Sequence, residues 1–275
     1  RIDAFSVELA DLLQQRRKSG LTFAPEAGSQ RLRNVVNKGV VEEDLLRTAE
    51  AAFSKGWRRI KLYFMMGLPT ETDADIEAIA DLTHKVRDIG RRASGKRVEV
   101  SVSVSTFVPK PFTPFQWTGL LDQETIVRRQ QILKQRIKGQ GLSVSWHDPA
   151  SSMLEAVLAR GDRRLGRVIH RAWRAGARFD AWDEHFKPEL WWAAFDEEGL
   201  DPDFYARRER SAEETMPWDH IDVGVSRRFL LLEWERSLRG ELSAGCITRC
   251  MACGIQSSYE EALVGCQAVC GRHAR

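Results

Sequence analysis

Cysteine is missing from the first 245 of the chain's 275 residues, and all five of its cysteines, Cys246, Cys250, Cys253, Cys266 and Cys270, crowd into the last thirty. A disulfide framework spreads its staples along a chain, so this distribution excludes one and points to thiolates gathered on a metal in a reducing compartment. Long hydrophobic runs are missing too. Runs such as residues 62–66 and 229–232 stop far short of the roughly 18 residues a membrane span needs. There is no internal repeat and no low-complexity linker, which sets aside solenoids and disordered tethers. Nor is there an excess of one charge: 42 Lys and Arg against 39 Asp and Glu leave +3, which neither demands nor forbids a polyanionic partner. What is present is globular, with 43% hydrophobic and 29% charged residues in a length that allows one large domain or two ordinary ones.

Position 1 is Arg, and residues 1–20 read as an amphipathic helix with Leu9, Leu12 and Leu13 on one side. They hold neither the apolar core nor the small-residue cleavage site of a secretory signal. The expectation is a cytoplasmic fragment whose true start lies upstream. From there to about residue 140, strands at residues 21–26, 59–66 and 98–107 alternate with helices at residues 42–55, from Thr72 and Asp75 onward, and at residues 122–138. Strands separated by helices of this length form parallel βαβ units, so this part is α/β. Residues 141–240 read as a mostly helical region, with a helix over residues 153–175 broken near Gly161 and tryptophans interleaved with arginines. Residues 241–275 form a cysteine-rich tail.

The strands carry a further signal. Val98, Val100, Val102 and Val104 alternate with Glu99, Ser101, Ser103 and Ser105; Ile60, Leu62, Phe64 and Met66 alternate with Arg59, Lys61, Tyr63 and Met65; and Leu21 and Phe23 alternate with Thr22 and Ala24. A parallel strand covered on both faces is apolar throughout, and the centre of a closed eight-stranded barrel is filled with side chains. The alternation therefore predicts a partial barrel whose polar face, with Thr22, Lys61, Tyr63, Ser101, Ser103 and Ser105, lines a cavity for a polar ligand. An edge strand with one wet face is the plainer alternative.

Ligands of open α/β sheets bind outside the carboxyl ends of strands. The first strand ends in Pro25-Glu26-Ala27-Gly28-Ser29, where a carboxylate can accept hydrogen bonds from two ribose hydroxyls and Gly28 allows close backbone approach; equally, Pro25 can end the strand and Ser29 can cap a helix. The second ends in Gly67-Leu68-Pro69-Thr70-Glu71-Thr72, ahead of a helix start whose N–H groups suit an anion. The third runs into Val108-Pro109, a stiff loop with peptide groups able to bond a base.

In this order the three strand ends resemble the fourth, fifth and sixth strands of the radical S-adenosylmethionine (radical SAM) barrel, in the group that includes elongator-type and methylthiotransferase enzymes. Ser145-Trp146-His147-Asp148-Pro149, Glu184-His185-Phe186, Pro217-Trp218-Asp219-His220 and the cysteine tail are similar to an uncharacterised bacterial radical SAM family. The resemblance implies a partial (β/α) radical SAM barrel followed by a helical region. It places Glu26, Ala27, Gly28 and Ser29 near the ribose of S-adenosylmethionine. The turn of Gly67, Leu68, Pro69, Thr70 and Glu71 and the Val108–Pro109 backbone then lie near its adenine or amino-acid end. In such enzymes a [4Fe–4S] cluster reductively cleaves S-adenosylmethionine to a 5′-deoxyadenosyl radical. The family's C-x3-C-x2-C loop precedes these strands and is absent here, so the cluster is expected upstream and the chain alone is expected to be catalytically silent.

Cys246-x3-Cys250-x2-Cys253 has the same spacing but follows the strands. Three thiolates so spaced fit an auxiliary iron–sulfur cluster or three of zinc's four ligands, with Cys266 and Cys270 as possible additions. Two rivals remain: a zinc-binding interaction module contacting RNA through its Arg and Trp residues, and a barrel enzyme using Lys61 or Glu26 in acid–base chemistry. His147, His185 and His220 read as structural.

Overall fold

The computed structural model describes residues 20–246 and 248–255; all of the expected N-terminal helix but Gly20, and the thiols of Cys266 and Cys270, lie outside the described residues. Strands β1 (Leu21–Glu26), β2 (Arg59–Met66), β3 (Glu99–Thr106) and β4 (Leu142–Trp146) pair in the order β1-β2-β3-β4, every pair parallel. Between them run helices α1 (Gln30–Val35), α2 (Glu42–Ser54), α3 (Asp73–Ser94) and α4 (Gln123–Arg136). Sequential parallel strands joined by helical crossovers are the connectivity of part of a (β/α) barrel, as the alternation of elements predicts.

The period of two in the strands sorts their side chains. Ile60, Leu62, Phe64, Met66, Val100, Val102 and Val104 are each at most 2% exposed, each burial stabilising by roughly 1.5–3 kcal/mol. The helices bury a matching stripe at period 3.6: Leu45, Ala49, Ala52 and Phe53 from α2, and Ile76, Ile79, Thr83 and Val86 from α3. On the other face Thr22 and Tyr63 are exposed and Lys61, Ser101 and Ser105 half-buried; only Ser103 is buried. Lys61 Nζ stands 4.6 Å over the Tyr63 ring, a cation–π contact.

Strand β4 is not anticipated by the sequence reading, which begins the helical region there. Its Leu-Ser-Val-Ser-Trp pairs in register with Val100–Val104, yet none of its side chains is fully buried. The tail of β3 and β4 is extended by the His147 N–H, which donates to the Val104 carbonyl.

The described residues fall into two compact units. The first holds those up to Phe107 together with Gln123–His147 and Ser237–Leu242; the second holds Val108–Asp122, Asp148–Arg236 and those from Ser243 onward. The units thus cross the segment boundaries drawn at 140 and 240. In the second, α5 (Pro149–Arg160) starts where the Asp148 carboxylate accepts from the Ala150 and Ser151 N–H groups, with Pro149 at its first position. Helices α6 (Leu165–Ala175), α7 (Pro188–Glu198) and α8 (Pro202–Ala206) follow, then α9 (Arg227–Leu238), whose last two residues are counted with the first unit. The expected break near Gly161 is the corner between α5 and α6. Val108, Leu120, Val157, Val168, Phe195 and Tyr205 share one apolar cluster, and Trp117, Met216, Trp218 and Leu230 another. Among the described residues no helix is long and apolar enough to cross a membrane.

Candidate functional site

Pro25 has no N–H to give the ladder, and the pairing of β1 with β2 slips between Phe23 and Glu26, which re-pairs with Phe64. Glu26 itself takes φ 68°, a left-handed conformation that costs a residue with a Cβ about 1–2 kcal/mol. Half-buried, its Oε1 accepts from Lys38 Nζ at 2.9 Å. Thr70, in the turn after β2, is likewise left-handed at φ 63°. Backbone strain at the carboxyl ends of two paired strands is the kind retained where a ligand is held.

Asp75, in the first turn of α3, ties these two strand ends together. Its carboxylate accepts from the Ser29 hydroxyl, from Arg31, and from both the N–H and the hydroxyl of Thr72. Arg31 also donates to the Thr70 hydroxyl at 3.0 Å and carbonyl at 2.8 Å. Burial pushes the Asp75 carboxyl up, but the bonds from Ser29, Thr72 and Arg31 outweigh it and hold the group down at about 2. Ser29 is the N-cap of α1, its Oγ accepting from the Leu32 N–H.

The same α3 terminus corrects one expectation. Its first turn is closed by a capping box of Thr72 and Asp75, the Thr72 N–H donating to the Asp75 carboxylate, and carries Asp73 as well, so the carboxylates of the chain at this terminus repel an added anion.

Glu71 is the most perturbed acid at this end of the sheet. Its side chain is 1% exposed. Oε2 accepts from the Gly67 N–H at 2.7 Å and from Arg129, whereas Oε1 is buried with no hydrogen-bond partner. Arg129 also bonds the Glu71 carbonyl at 3.0 Å and Asp73 at 3.1 Å. Burial raises the Glu71 carboxyl to about 7, against the pull of the Gly67 N–H and Arg129. With a folded value above its unfolded one, Glu71 binds more protons in the folded chain between pH 4.5 and 7, so its contribution to stability falls as pH rises through that window and is fully unfavourable above it. Glu71→Gln keeps an acceptor for Gly67 and removes the ionisation. Relative to the unaltered chain it should gain about 3 kcal/mol between pH 4.5 and 7.5, most of the roughly 3.5 kcal/mol that about 1.4 kcal/mol per unit implies for the whole shift, as read by denaturant melts across pH.

Gly67 holds φ 91°, available to it for want of a Cβ. Gly28 differs from the expectation that its backbone approaches a ligand: a Cβ there would stand 2.3 Å from the Ile79 nitrogen and 2.6 Å from the Asp75 carbonyl oxygen, so it is α3 that approaches Gly28. Ala27, Leu68 and Pro69 are buried and shape the turns from below. Val108 and Pro109 belong to the second unit, where Val108 is core.

The described cysteines do not assemble. Cys246 is exposed, Cys250 and Cys253 are half-buried, and among the described residues no three His, Cys, Asp or Glu side chains converge on a metal position. The described thiols therefore do not fit a cluster or zinc as they stand. Cys253 serves through its backbone, its carbonyl accepting from the Ser226 N–H at 2.8 Å.

Three residues that position the site escape the sequence reading. Arg33, 1% exposed, donates to the Ala27 carbonyl at 2.9 Å and the Gly28 carbonyl at 3.1 Å and so fixes the first turn. Its signal is an arginine beside Leu32 on the apolar side of α1. Asp75 is visible only as a capping residue, and Arg129 carries no sequence signal.

Comparison with known proteins bears on the same segment. Residues 1–83 match the family model described as the Radical SAM superfamily. Over 161 residues the chain is 35% identical to an uncharacterised protein of the archaeon Methanocaldococcus jannaschii, covering 58% of this chain and 34% of that protein's length. The chain therefore spans about a third of that relative. The superfamily match and the four-stranded parallel sheet agree on a partial barrel of the radical SAM kind with a helical region.

Proposed function

We propose that the carboxyl ends of β1 and β2 hold the nucleoside of S-adenosylmethionine as the second half of a radical SAM barrel. Glu26 accepts from the ribose hydroxyls, and the turn of Gly67 to Glu71 lies against the adenine or amino-acid end. Ser29, its hydroxyl committed to Asp75 and Leu32, holds the turn rather than the ligand. The observation that supports this most is the strained Glu26 at a strand end locked to the neighbouring turn through Asp75, within a segment that matches the superfamily.

In the superfamily a [4Fe–4S] cluster supplies the electron that cleaves S-adenosylmethionine. The described residues offer such a cluster no ligand set, so the share assigned to them is binding, orientation and exclusion of water. The finer kinship to elongator-type, methylthiotransferase or bacterial proteins adds nothing to this reading, which rests on the first unit alone.

Titration calorimetry with S-adenosylhomocysteine, the redox-inert analogue, tests it. One saturable site is expected, weakened about tenfold in Glu26→Gln, the loss typical of a charge-assisted hydrogen bond. No binding at millimolar ligand, or equal binding by the variant, would sink the reading.

A further inference from the structure

Helix α6 touches the core of its unit through Leu165, Val168 and Ala172 alone, and the rest of its circumference is exposed. Between Asp162 and Arg178 the sequence places six arginines, His170 and a single carboxylate, in a chain whose net charge is only +3. Glu197 and Glu198 of α7 take up Arg171, and Glu198 also takes up Arg167. Arg174 and Arg178 have no carboxylate partner among the described residues. Both Arg174 and His170 line a groove of about 750 Å³ between α6 and α7.

Large aromatic rings stand open beside this charge. Phe179 is 68% exposed, Trp182 55% and Trp173 48%. Arg178 lies 4.6 Å over the Trp173 ring, steadied by the Trp173 and Ala177 carbonyls. Phe179 meets Trp182 edge-on at 6.1 Å and His185 at 6.0 Å. Rings of this size are among the most costly to leave in water, and exposed clusters of them mark interaction surfaces. Guanidinium groups free of carboxylates next to open aromatic rings complement one kind of polymer, with phosphates at fixed spacing and bases free to stack.

We infer that α6 and the segment from Arg178 to His185 form a platform for single-stranded nucleic acid, with phosphates along Arg174 and Arg178 and bases stacked on Phe179 and Trp182. Asp180 follows Phe179, and Asp183 and Glu184 follow Trp182; these carboxylates repel phosphate, which directs the backbone of the strand toward α6. The unpaired strand follows from the rings, since a duplex keeps its bases stacked on each other.

The test is fluorescence anisotropy of the full chain with a labelled oligouridylate of about twelve nucleotides, within the usual site size for such platforms. Saturable binding is expected, quenching tryptophan emission and weakening with salt. Trp182→Ala and Phe179→Ala should each weaken it at least fivefold, and Arg174→Glu should weaken it about tenfold and flatten the salt dependence. All three side chains are exposed, so unchanged thermal midpoints are expected alongside. The inference is overturned if no saturable binding occurs, if the matching duplex or inorganic polyphosphate binds as tightly, if the aromatic variants bind like the unaltered chain, or if only anionic vesicles bind. None of these outcomes bears on S-adenosylhomocysteine binding by the first unit.

Discussion

Alanine in place of Gly28 is expected to destabilise the chain by at least about 3 kcal/mol, the upper end for overpacking. Overpacked side chains usually escape by changing rotamer or bending a neighbour. Here a Cβ would meet backbone, the Ile79 nitrogen at 2.3 Å, the Asp75 carbonyl oxygen at 2.6 Å and the Ala78 carbonyl carbon at 2.7 Å, and none of these moves without shifting a helix of 22 residues. If α3 does retreat, Asp75 leaves Ser29 and Arg31, so two part-buried bonds weaken with the packing. Guanidinium melts measure the loss. A shift below about 1 kcal/mol would show that the α3 backbone does not press on this turn.

The second large effect is expected in the helical unit, from Arg160→Met. Arg160 is fully buried, and its guanidinium donates to the carbonyls of Tyr205 at 2.9 Å, Arg208 at 2.7 Å and Thr118. Its own carbonyl accepts from Arg210 at 2.6 Å. Burial first, and the neighbouring Arg210 and Arg208 charges next, lower its pKa to about 10, so it stays charged at neutral pH with carbonyls in place of a carboxylate. Methionine fills the volume but leaves one buried and two part-buried acceptors empty, each costing about 1–3 kcal/mol when buried. Relief of the buried charge offsets part of this, for a net loss of about 4 kcal/mol. Arg160→Lys should rescue only partly, because a single ammonium cannot reach three carbonyls in a planar fork. Equal stability of Arg160→Met and the unaltered chain would show that the clamp is not a source of stability.

Local order was legible in the residues, and long-range partnership was not. β2 spans Arg59–Met66 as its alternation predicts, because one face is buried and a glycine and proline follow. β4 was hidden because its five residues are half-exposed and serine-rich, so neither a buried run nor a turn marks them. The loop from Val108 to Asp122 reads as a connector after β3, yet it folds with the helical unit: Trp117 and Leu120 are buried there, and Gln116 accepts from the Trp218 indole 102 residues away. No periodicity encodes that.

At the site, Pro25, Gly67 and Pro69 announced turns through their own backbone preferences. The groups that hold those turns come from 46 and 58 residues further on, as Asp75 and Arg129. Gly28 shows how a permissive residue misleads: the missing Cβ is visible in the sequence, but which neighbour fills the space is not. The tryptophans divide in the same way. Trp218 is core and Trp182 is open to solvent, although both are flanked by Asp in the chain.

Asp75 is borne by one helix, yet it grips the cap of another, and through Arg31 it reaches the crown of the turn before its own. The two loops are therefore pinned to a common axle and cannot adjust one at a time. A ligand that steadies either loop would steady both, so on the proposed reading the two ends of a nucleotide would be sensed jointly, and a molecule carrying only half of it would recruit little of that gain.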